Sequence, residues 1–437
     1  MSGFLLPDAP VGSIDAYRAV GGGEAMERAR RIGPEAVIAE IRAAGLRGRG
    51  GAGFPTGIKW AGLRSEEGPK FAVANGAEGE PGTFKDRALM RSNPYQLIEG
   101  LAIAAFAVGA DSAFVATKAS FTTEVSRLDA AVEEMEAAGI LGDVPVGVAT
   151  GPDSYLFGEE KALLEVVAGR DPLPTLYPPY VQGLLGDTVR PNPTVVNNVE
   201  TLSNVPHILR HGADWFRSFG TPDAPGTMVF TISGDVRRHG IVELPMGTPL
   251  SVLVFEVGAG LEAGRSPRAI LSGVSNAPLT AAALDTPMDF ASLRAAGAGL
   301  GSGGFTVYDD TACMAQVAAQ LATFLSRESC GQCPPCKLGT TALADRFAAL
   351  GSGHANEGTL EEAAAWTARV TDANRCGLGA GGQALAAGFL ERFWDDFVHH
   401  LARPCGRDRQ EMLLPKIVDL AGERFVLDDG YFDRTAP

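Results

Sequence analysis

Three cysteines at 330, 333 and 336 stand in the run Glu328-Ser-Cys-Gly-Gln-Cys-Pro-Pro-Cys336, and a fourth, Cys376, follows further along. Two-residue gaps let successive thiolates converge on one point, and a distant fourth closes a tetrahedron. Both an iron–sulfur cluster and a structural zinc are held in this way. Zinc favours pairs of Cys-x-x-Cys, whereas three close thiols and one remote thiol favour a cubane 4Fe–4S cluster, a carrier of single electrons. Gly331 and Gly339 are expected to free backbone N–H groups for the sulfurs, and Pro334-Pro335 to constrain the loop. Cys313 and Cys405 fall outside this run and read as small buried thiols. His207, His211, His399 and His400 lie on helix-like stretches with no matching ligand set and read as structural or surface residues.

A second chemical feature is Gly45-Leu-Arg-Gly-Arg-Gly-Gly-Ala-Gly-Phe-Pro-Thr-Gly57, with six glycines in thirteen positions. Glycine permits positive φ and close backbone approach, so consecutive N–H groups can form an anion nest. Arg47, Arg49 and Lys59 add positive charge, while Phe54 and Pro55 stiffen the loop. The loop follows a helix rather than a strand and lacks a Gly-Lys-Ser/Thr ending, so it is neither a Rossmann fingerprint nor a P-loop.

Further on, Asn75-Gly-Ala-Glu-Gly-Glu80 directly follows a strand, which makes Glu78 and Glu80 candidate site carboxylates. Gly158-Glu159-Glu160 after Tyr155 is a similar loop. Pro193-Thr-Val-Val-Asn-Asn-Val-Glu-Thr201 places two amides and a hydroxyl at an apparent helix start, which suits a phosphate or a capped helix.

The elements that must position these residues alternate. Pro34–Ala44 is a helix stopped by Gly45, and Lys70–Asn75 reads as a buried strand. Asn93-Pro94 opens a helix carrying Leu97, Ile98, Leu101 and Phe106. Strands follow at Ala113–Ala116 and Pro145–Ala149, separated by an amphipathic helix that begins at Thr122 or Thr123 and ends at Gly139. Such alternation predicts a mostly parallel α/β sheet. From about Gly226 short glycine-bounded strands flank a helix-like Leu250–Val257, which predicts a small α+β domain. After one more strand near Phe305–Tyr308 the chain reads as helical, clearest over Met314–Ser326 and Leu385–Leu401. The division expected is 1–225, 226–290, 291–403 and a C-terminal extension, 404–437, that wraps the surface.

Composition limits the function classes. Six cysteines in 437 residues are too few for a disulfide framework. The first residues carry no basic region or long apolar core, so no secretory signal is expected. No apolar run reaches the ~18–20 residues of a membrane span, and the chain is expected to be cytoplasmic. A formal net charge of -15 argues against nucleic-acid binding.

Taken in order from about Ile14 to Leu401, these motifs resemble the flavin-bearing, NADH-oxidising subunit of respiratory complex I and its relatives in NAD-linked formate dehydrogenases and bidirectional hydrogenases. The resemblance is carried by 48–57, by Glu-Pro-Gly-Thr-Phe-Lys-Asp-Arg at 80–87, by 158–160, by Val-Asn-Asn-Val-Glu-Thr-Leu at 196–202 and by 328–333. It implies an FMN domain, a small ubiquitin-like SLBB domain and a helical bundle with one 4Fe–4S cluster on Cys330, Cys333, Cys336 and Cys376. FMN would lie against Gly48, Gly50, Gly51 and Gly53, with Arg49, Lys59 and Asn75 nearby, and Asn197, Asn198 and Thr201 on its phosphate. NADH would meet Phe54, Glu80, Tyr155, Gly158, Glu159, Glu160 and Tyr180.

The implied activity is hydride transfer between NADH/NAD+ and FMN, with single electrons leaving through the cluster. No fused 2Fe–2S domain precedes the loop, so a separate carrier chain, thioredoxin-like 2Fe–2S or ferredoxin-like, is the expected partner. The chain departs from the family pattern at Ala77, where aspartate is usual, at Phe157, where cysteine is usual, and at Gly62, where an aromatic residue stacks on adenine. Two other readings stay open: a flavin and iron–sulfur relay without nucleotide binding, and a non-redox scaffold with zinc at the cysteines.

Overall fold

A computed structural model describes residues 3–371, 373–401, 403–406, 414–422 and 424–433. The chain divides into two units, one comprising Met1–Gly79, Phe84–Val229 and Val242–Thr248, the other Glu80–Thr83, Phe230–Ile241 and Pro249–Pro437.

The first unit is built on a parallel four-stranded sheet made of β1 (Phe71–Gly76), β2 (Ser112–Lys118), β3 (Val146–Gly151) and β4 (Thr194–Asn198), in the order β3-β2-β1-β4. Central β1 pairs Phe71 with both Ser112 and Thr194. The segment expected only as a helix start is therefore a strand, Thr194–Asn198, that runs straight into the helix Val199–His211. Its β-branched Thr-Val-Val favours the pleated surface, and the Asn198 side chain caps the helix by accepting from the Glu200 amide at 3.0 Å.

The helix Pro94–Val108 has proline in its first turn, an Asn93 cap and Gly109 at φ 75° as its stop. All its residues except Phe106 are buried, as an all-round apolar helix must be. It packs on Val199–His211 at Gly100, where an added Cβ would lie 2.0 Å from the Leu202 carbonyl oxygen. Pro206, four residues on, has no N–H for that carbonyl. The close approach thus uses the one carbonyl that the proline leaves unclaimed.

The second sheet contains β5 (Thr227–Gly234), β6 (Gly240–Pro245), β7 (Pro267–Leu271), β8 (Leu279–Thr280) and β9 (Gly304–Asp309), in the order β6-β5-β9-β7-β8. Strand β9 runs parallel to β5 and antiparallel to β7, so the sheet draws its middle strand from chain beyond residue 290. The helix-like stretch between β6 and β7 forms a π-helical segment, Val252–Val257.

Helices follow at Met314–Glu328, Pro334–Gly351, Glu357–Thr367, Leu378–Arg392 and Trp394–His400. The single helix expected over 385–401 is two. Phe393 leaves helical geometry at φ -128°, ψ 30°, with its ring centroid 5.8 Å from that of Phe389. Of the C-terminal extension, β10 (Ile417–Ala421) and β11 (Arg424–Leu427) form an antiparallel hairpin. Tyr431 then donates to Glu328 at 2.9 Å, and Arg327 to the Tyr431 and Phe432 carbonyls at 2.6 and 2.7 Å. Residues 407–413, 423 and 434–437 of the extension lie outside the described residues. Among the described residues no helix is long and apolar enough to cross a membrane.

Candidate functional site

The glycine-rich loop leaves the helix Pro34–Ala44 at Gly45 and ends at the helix Thr56–Ser65. Its two sides are tied by Gly48 N–H to Phe54 O and Thr56 N–H to Leu46 O, both at 2.9 Å. Gly51 and Gly53 adopt φ 121° and 64°, which other residues would strain to hold. Gly50 lies on Asn198, where an added Cβ would stand 3.1 Å from the Asn198 Cβ. Arg49 anchors the loop. Its amide donates to Thr201 Oγ1 at 2.8 Å, and its guanidinium donates to the carbonyls of Thr227, Arg47 and Pro225 at 3.2, 3.2 and 3.0 Å. Burial lowers its pKa to about 10 against the pull of Glu200, so the side chain stays charged at neutral pH.

The end of β4 carries most of the remaining polar groups. Asn197 Oδ1 accepts from Trp60 Nε1 at 2.8 Å. Lys59 donates to the Val196 carbonyl at 2.8 Å and pairs with Glu160 at 3.1 Å. Asn198 donates to Asp86 at 2.7 Å. Lys85, fully buried, meets Asp86 at 2.7 Å, Glu200 at 2.9 Å and Asn198 Oδ1 at 3.1 Å. Burial opposes the Lys85 charge, but Asp86 and Glu200 outweigh it and raise its pKa. The motifs at 80–87 and 196–202 contain Lys85, Asp86 and Glu200 but do not by themselves give them a role. The available signal is the charged Lys-Asp-Arg beside an otherwise apolar strand–helix pattern.

The carboxylates expected at the site are committed to backbone. Glu78 accepts from the amides of Lys85, Asp86 and Arg87 at 3.0, 3.1 and 3.3 Å, at the start of the helix Lys85–Ser92. Burial, then Asp86, pushes its pKa up to about 7. Glu80, in the second unit, accepts from the Val274 amide at 2.6 Å. Glu159 caps the helix Glu160–Val167 by accepting from Lys161 and Ala162 amides, both at 3.0 Å, and burial raises its pKa.

Asn75, at the end of β1, donates to the Gly158 carbonyl at 2.8 Å and accepts from the Ala77 amide at 3.2 Å. That bond joins the loop after β1 to the 3-10 turn Tyr155–Gly158. Phe54 and Tyr180 present exposed aromatic surface, at 55% and 57%. Gly62, on the outer side of Thr56–Ser65, has no atom within 4 Å of an added Cβ. Buried and half-buried asparagines, loop N–H groups and glycines held at positive φ or against Asn198 thus gather at the carboxyl ends of β1 and β4. That is where parallel sheets receive ligands, and the donor set fits a flavin mononucleotide.

In the second unit, Cys336 is buried in the first turn of Pro334–Gly351, and Cys330, Cys333 and Cys376 are half-buried. The Arg375 amide donates to Cys333 Sγ at 3.3 Å, and the Arg375 side chain to Gln332 Oε1 at 2.8 Å, which draws the Cys376 segment to the Cys loop. Gln332 donates to Cys330 Sγ at 3.7 Å, and Ser329 Oγ lies 3.5 Å from Cys336 Sγ. Hydrogen bonds to sulfur are the means by which such sites set cluster potential. Gly331 takes φ 80°, as a turn glycine. Gly339 does not serve the sulfurs as expected. It sits inside the helix, where an added Cβ would come within 2.9 Å of Val370 Cβ, so its role is close packing.

Among the described residues, the one group of three ligating side chains within 4.8 Å of each other is Cys313, His400 and Cys405. The four thiols of the Cys-x-x-Cys-x-x-Cys run and Cys376 are therefore spread more widely than the ligands of a single ion. Each thiolate of a cluster binds its own iron, so a wider spread suits a cluster.

A glycine loop closed on a parallel sheet in the first unit and a three-plus-one thiol set in the second define a flavin- and iron–sulfur-binding protein. Residues 41–207 match the Nuo51 FMN-binding domain, and residues 316–400 match the NADH-ubiquinone oxidoreductase-F iron-sulfur binding region, which spans all four thiols. An F-type subunit of the NADH-quinone oxidoreductase of Rhizobium meliloti (strain 1021) is 39% identical over 408 residues, covering 90% of this chain and 96% of the relative. The F-type subunit of Aquifex aeolicus (strain VF5) is 37% identical over 397 residues, covering 89% and 91%. A chain of the NAD+-reducing NiFe-hydrogenase, solved in its H2-reduced state, superposes with a TM-score of 0.80 at 34% identity, covering 91% of this chain and 68% of that one.

The chain belongs to the family of NADH-quinone oxidoreductase F-type subunits. It is an FMN and 4Fe–4S oxidoreductase subunit that uses NADH and transfers electrons within a multi-subunit complex. The zinc scaffold reading of the Cys330 set is superseded by this match.

Proposed function

We propose that this chain is the electron-entry subunit of its complex. It would exchange hydride with NADH and pass single electrons through its cluster to a separate iron–sulfur chain, thioredoxin-like 2Fe–2S or ferredoxin-like. The proposed division of labour is a flavin domain over 1–225, a small SLBB domain from 226 to 290 that adds β9 to its sheet, and a helical cluster domain up to 403. A cytoplasmic location, peripheral to a membrane only through partners, goes with this reading.

FMN, when bound, accepts a hydride and releases electrons one at a time, and the cluster carries them onward. The chain's own residues do the holding. Gly48, Gly50, Gly51 and Gly53 let the backbone approach the flavin, and Arg49 keeps the loop from collapsing by bonding three carbonyls. Asn197, Asn198 and Thr201 line the start of Val199–His211, whose N-terminal dipole favours a phosphate. Lys59 and Asn75 fix the neighbouring loops. Phe54, Tyr155 and Tyr180 would offer aromatic surface to the nucleotide, with Gly158, Glu159 and Glu160 at its polar edge. Glu78 acts as a positioning residue through the helix end that it caps.

The observation that carries this reading is the Arg49–Thr201 bond, which locks the glycine loop onto the strand–helix corner at β4. Anaerobic titration of the flavin-loaded protein with NADH tests it. Bleaching of the flavin absorbance within the turnover time is expected. Bound flavin that NADH leaves oxidised would overturn the reading. It would favour instead a relay that exchanges electrons only with proteins, for which Gly62 and Ala77 are the motivating residues.

A further inference from the structure

The Cys313–His400–Cys405 group has no part in the flavin or cluster sites. Cys313 Sγ lies 3.2 Å from His400 Nε2 across 87 residues of sequence, and all three ligand atoms lie within 4.8 Å of one another. Cys313 and His400 are each only 1% exposed, and Cys405 is half-buried. Three soft or borderline ligands, one from residue 313 and two from residues 400–405, form a site rather than a chance neighbourhood of a single thiol.

The surroundings suit a cation. Cys313 is the N-cap residue of the 15-residue helix Met314–Glu328, where the dipole favours a thiolate. Without a cation, burial and then the neighbouring Cys405 push the Cys313 thiol up to about 12, although the first-turn amide of Gln316 pulls it down. His400 presents Nε2 to the sulfur, while its buried Nδ1 has no hydrogen-bond partner. The Leu350 and Gly351 carbonyls flank the ring. Metal on Nε2 would place the proton on Nδ1, facing those carbonyls, as ligating histidines commonly arrange.

On its outer side the group opens into a cavity of about 370 Å3 lined by Arg268, Asp395, Asp396, His399, His400 and Cys405. Asp396 is not available as a ligand, because it pairs with Arg268 and accepts from the Met314 amide. Water in the cavity can therefore take the fourth position.

We propose that Cys313, His400 and Cys405 bind one Zn2+ ion, with its fourth coordination position facing this cavity. Two thiolates and a neutral imidazole balance the ion's charge, and mixed S/N ligation suits zinc. Binding releases two protons, one from each thiol. The ion fastens the segment after Trp394–His400 to the start of Met314–Glu328.

The test uses the full-length protein, purified anaerobically after growth with added zinc and carrying its flavin and iron. Elemental analysis should find about one zinc per chain beside the cluster iron. Zinc-edge X-ray absorption should show mixed shells at ~2.3 Å (sulfur) and ~2.0 Å (nitrogen). Cys405→Ser, at a half-buried position, should lose at least nine-tenths of that zinc while iron and FMN content stay unchanged. Cys313→Ser should do the same where it folds. Zinc retained undiminished by Cys405→Ser would overturn the proposal. So would a different metal at the site, or a native mass lower by about 2 Da from a Cys313–Cys405 disulfide.

Discussion

Ala77 and Phe157 belong to one buried apolar cluster, 1% and 0% exposed, together with Val73, Ala116, Leu163, Leu164, Leu184 and Val196. Both are positions where the resemblance to the family leads one to expect other residues, aspartate at 77 and cysteine at 157. The structure makes the two departures neighbours in one core. A small apolar residue at 77 and a large one at 157 are thus buried in one apolar cluster.

Restoring only one of the pair should therefore be costly. Ala77→Asp places a carboxylate at a buried position of this cluster and is expected to destabilise the protein by about 3 kcal/mol. Phe157→Cys leaves a cavity and should cost a similar amount, about 3 kcal/mol. The double variant should lose less than the sum, with a coupling of at least about 1 kcal/mol. Denaturant unfolding of all four proteins reads this directly. Additive losses would separate the two sites.

Glu78 predicts a pH dependence. Its folded pKa, about 7, is raised above the ordinary glutamate value by burial and then by Asp86. The unfolded chain gives up the proton near pH ~4.3, so the folded state holds it longer. This contribution to stability is fully present below the unfolded value and is lost as pH rises through about 7. Glu78→Gln keeps the acceptor oxygen for the Lys85 and Asp86 amides without the charge. Its melting temperature should change less between pH 5 and pH 8 than that of the parent. Parallel curves for the two proteins would refute the assignment.

Lys85 and Glu200 form a fully buried ion pair at 2.9 Å. Lys85→Met strands both Glu200 and Asp86 without their cation, which typically costs about 3–5 kcal/mol. Since the same lysine braces Asn198, against which Gly50 packs, FMN should dissociate more readily as well. Fluorescence of released flavin during dilution measures that effect, and an unchanged flavin affinity would confine Lys85 to the core.

Cys376 separates cluster from flavin. Cys376→Ser removes the remote ligand while leaving the first unit untouched. Cluster iron should fall well below the ~4 per chain of a complete cubane, whereas NADH should still bleach the flavin. Electron paramagnetic resonance of the reduced protein should lose the cluster signal. Full iron retention would assign the fourth ligand elsewhere.

Gly62 has open space around it on the helix Thr56–Ser65. Gly62→Phe should fit without displacing neighbours and supply the missing aromatic face. Base–aromatic stacking worth ~1–3 kcal/mol would lower the NADH KM by about tenfold or more. No change in KM would place the adenine away from this helix.

Much of this protein was legible in its sequence because the relevant forces are local. Strand and helix periodicity in the first unit follows from short-range sterics and from which face is buried, and it located β1, β2 and β3 to within a few residues. The three close cysteines were equally legible, since two-residue spacing alone brings thiolates together. What sequence did not determine depends on which distant segments pack together. Thr194–Asn198 becomes a strand because β1 offers it a free edge. Glu78 faces a helix end rather than solvent because Lys85–Ser92 folds back over it. Cys313, His400 and Cys405 meet only once the last helices close on Met314–Glu328. No local pattern encodes such meetings, because the energy that selects them is the burial of whole faces and not the preference of any one residue.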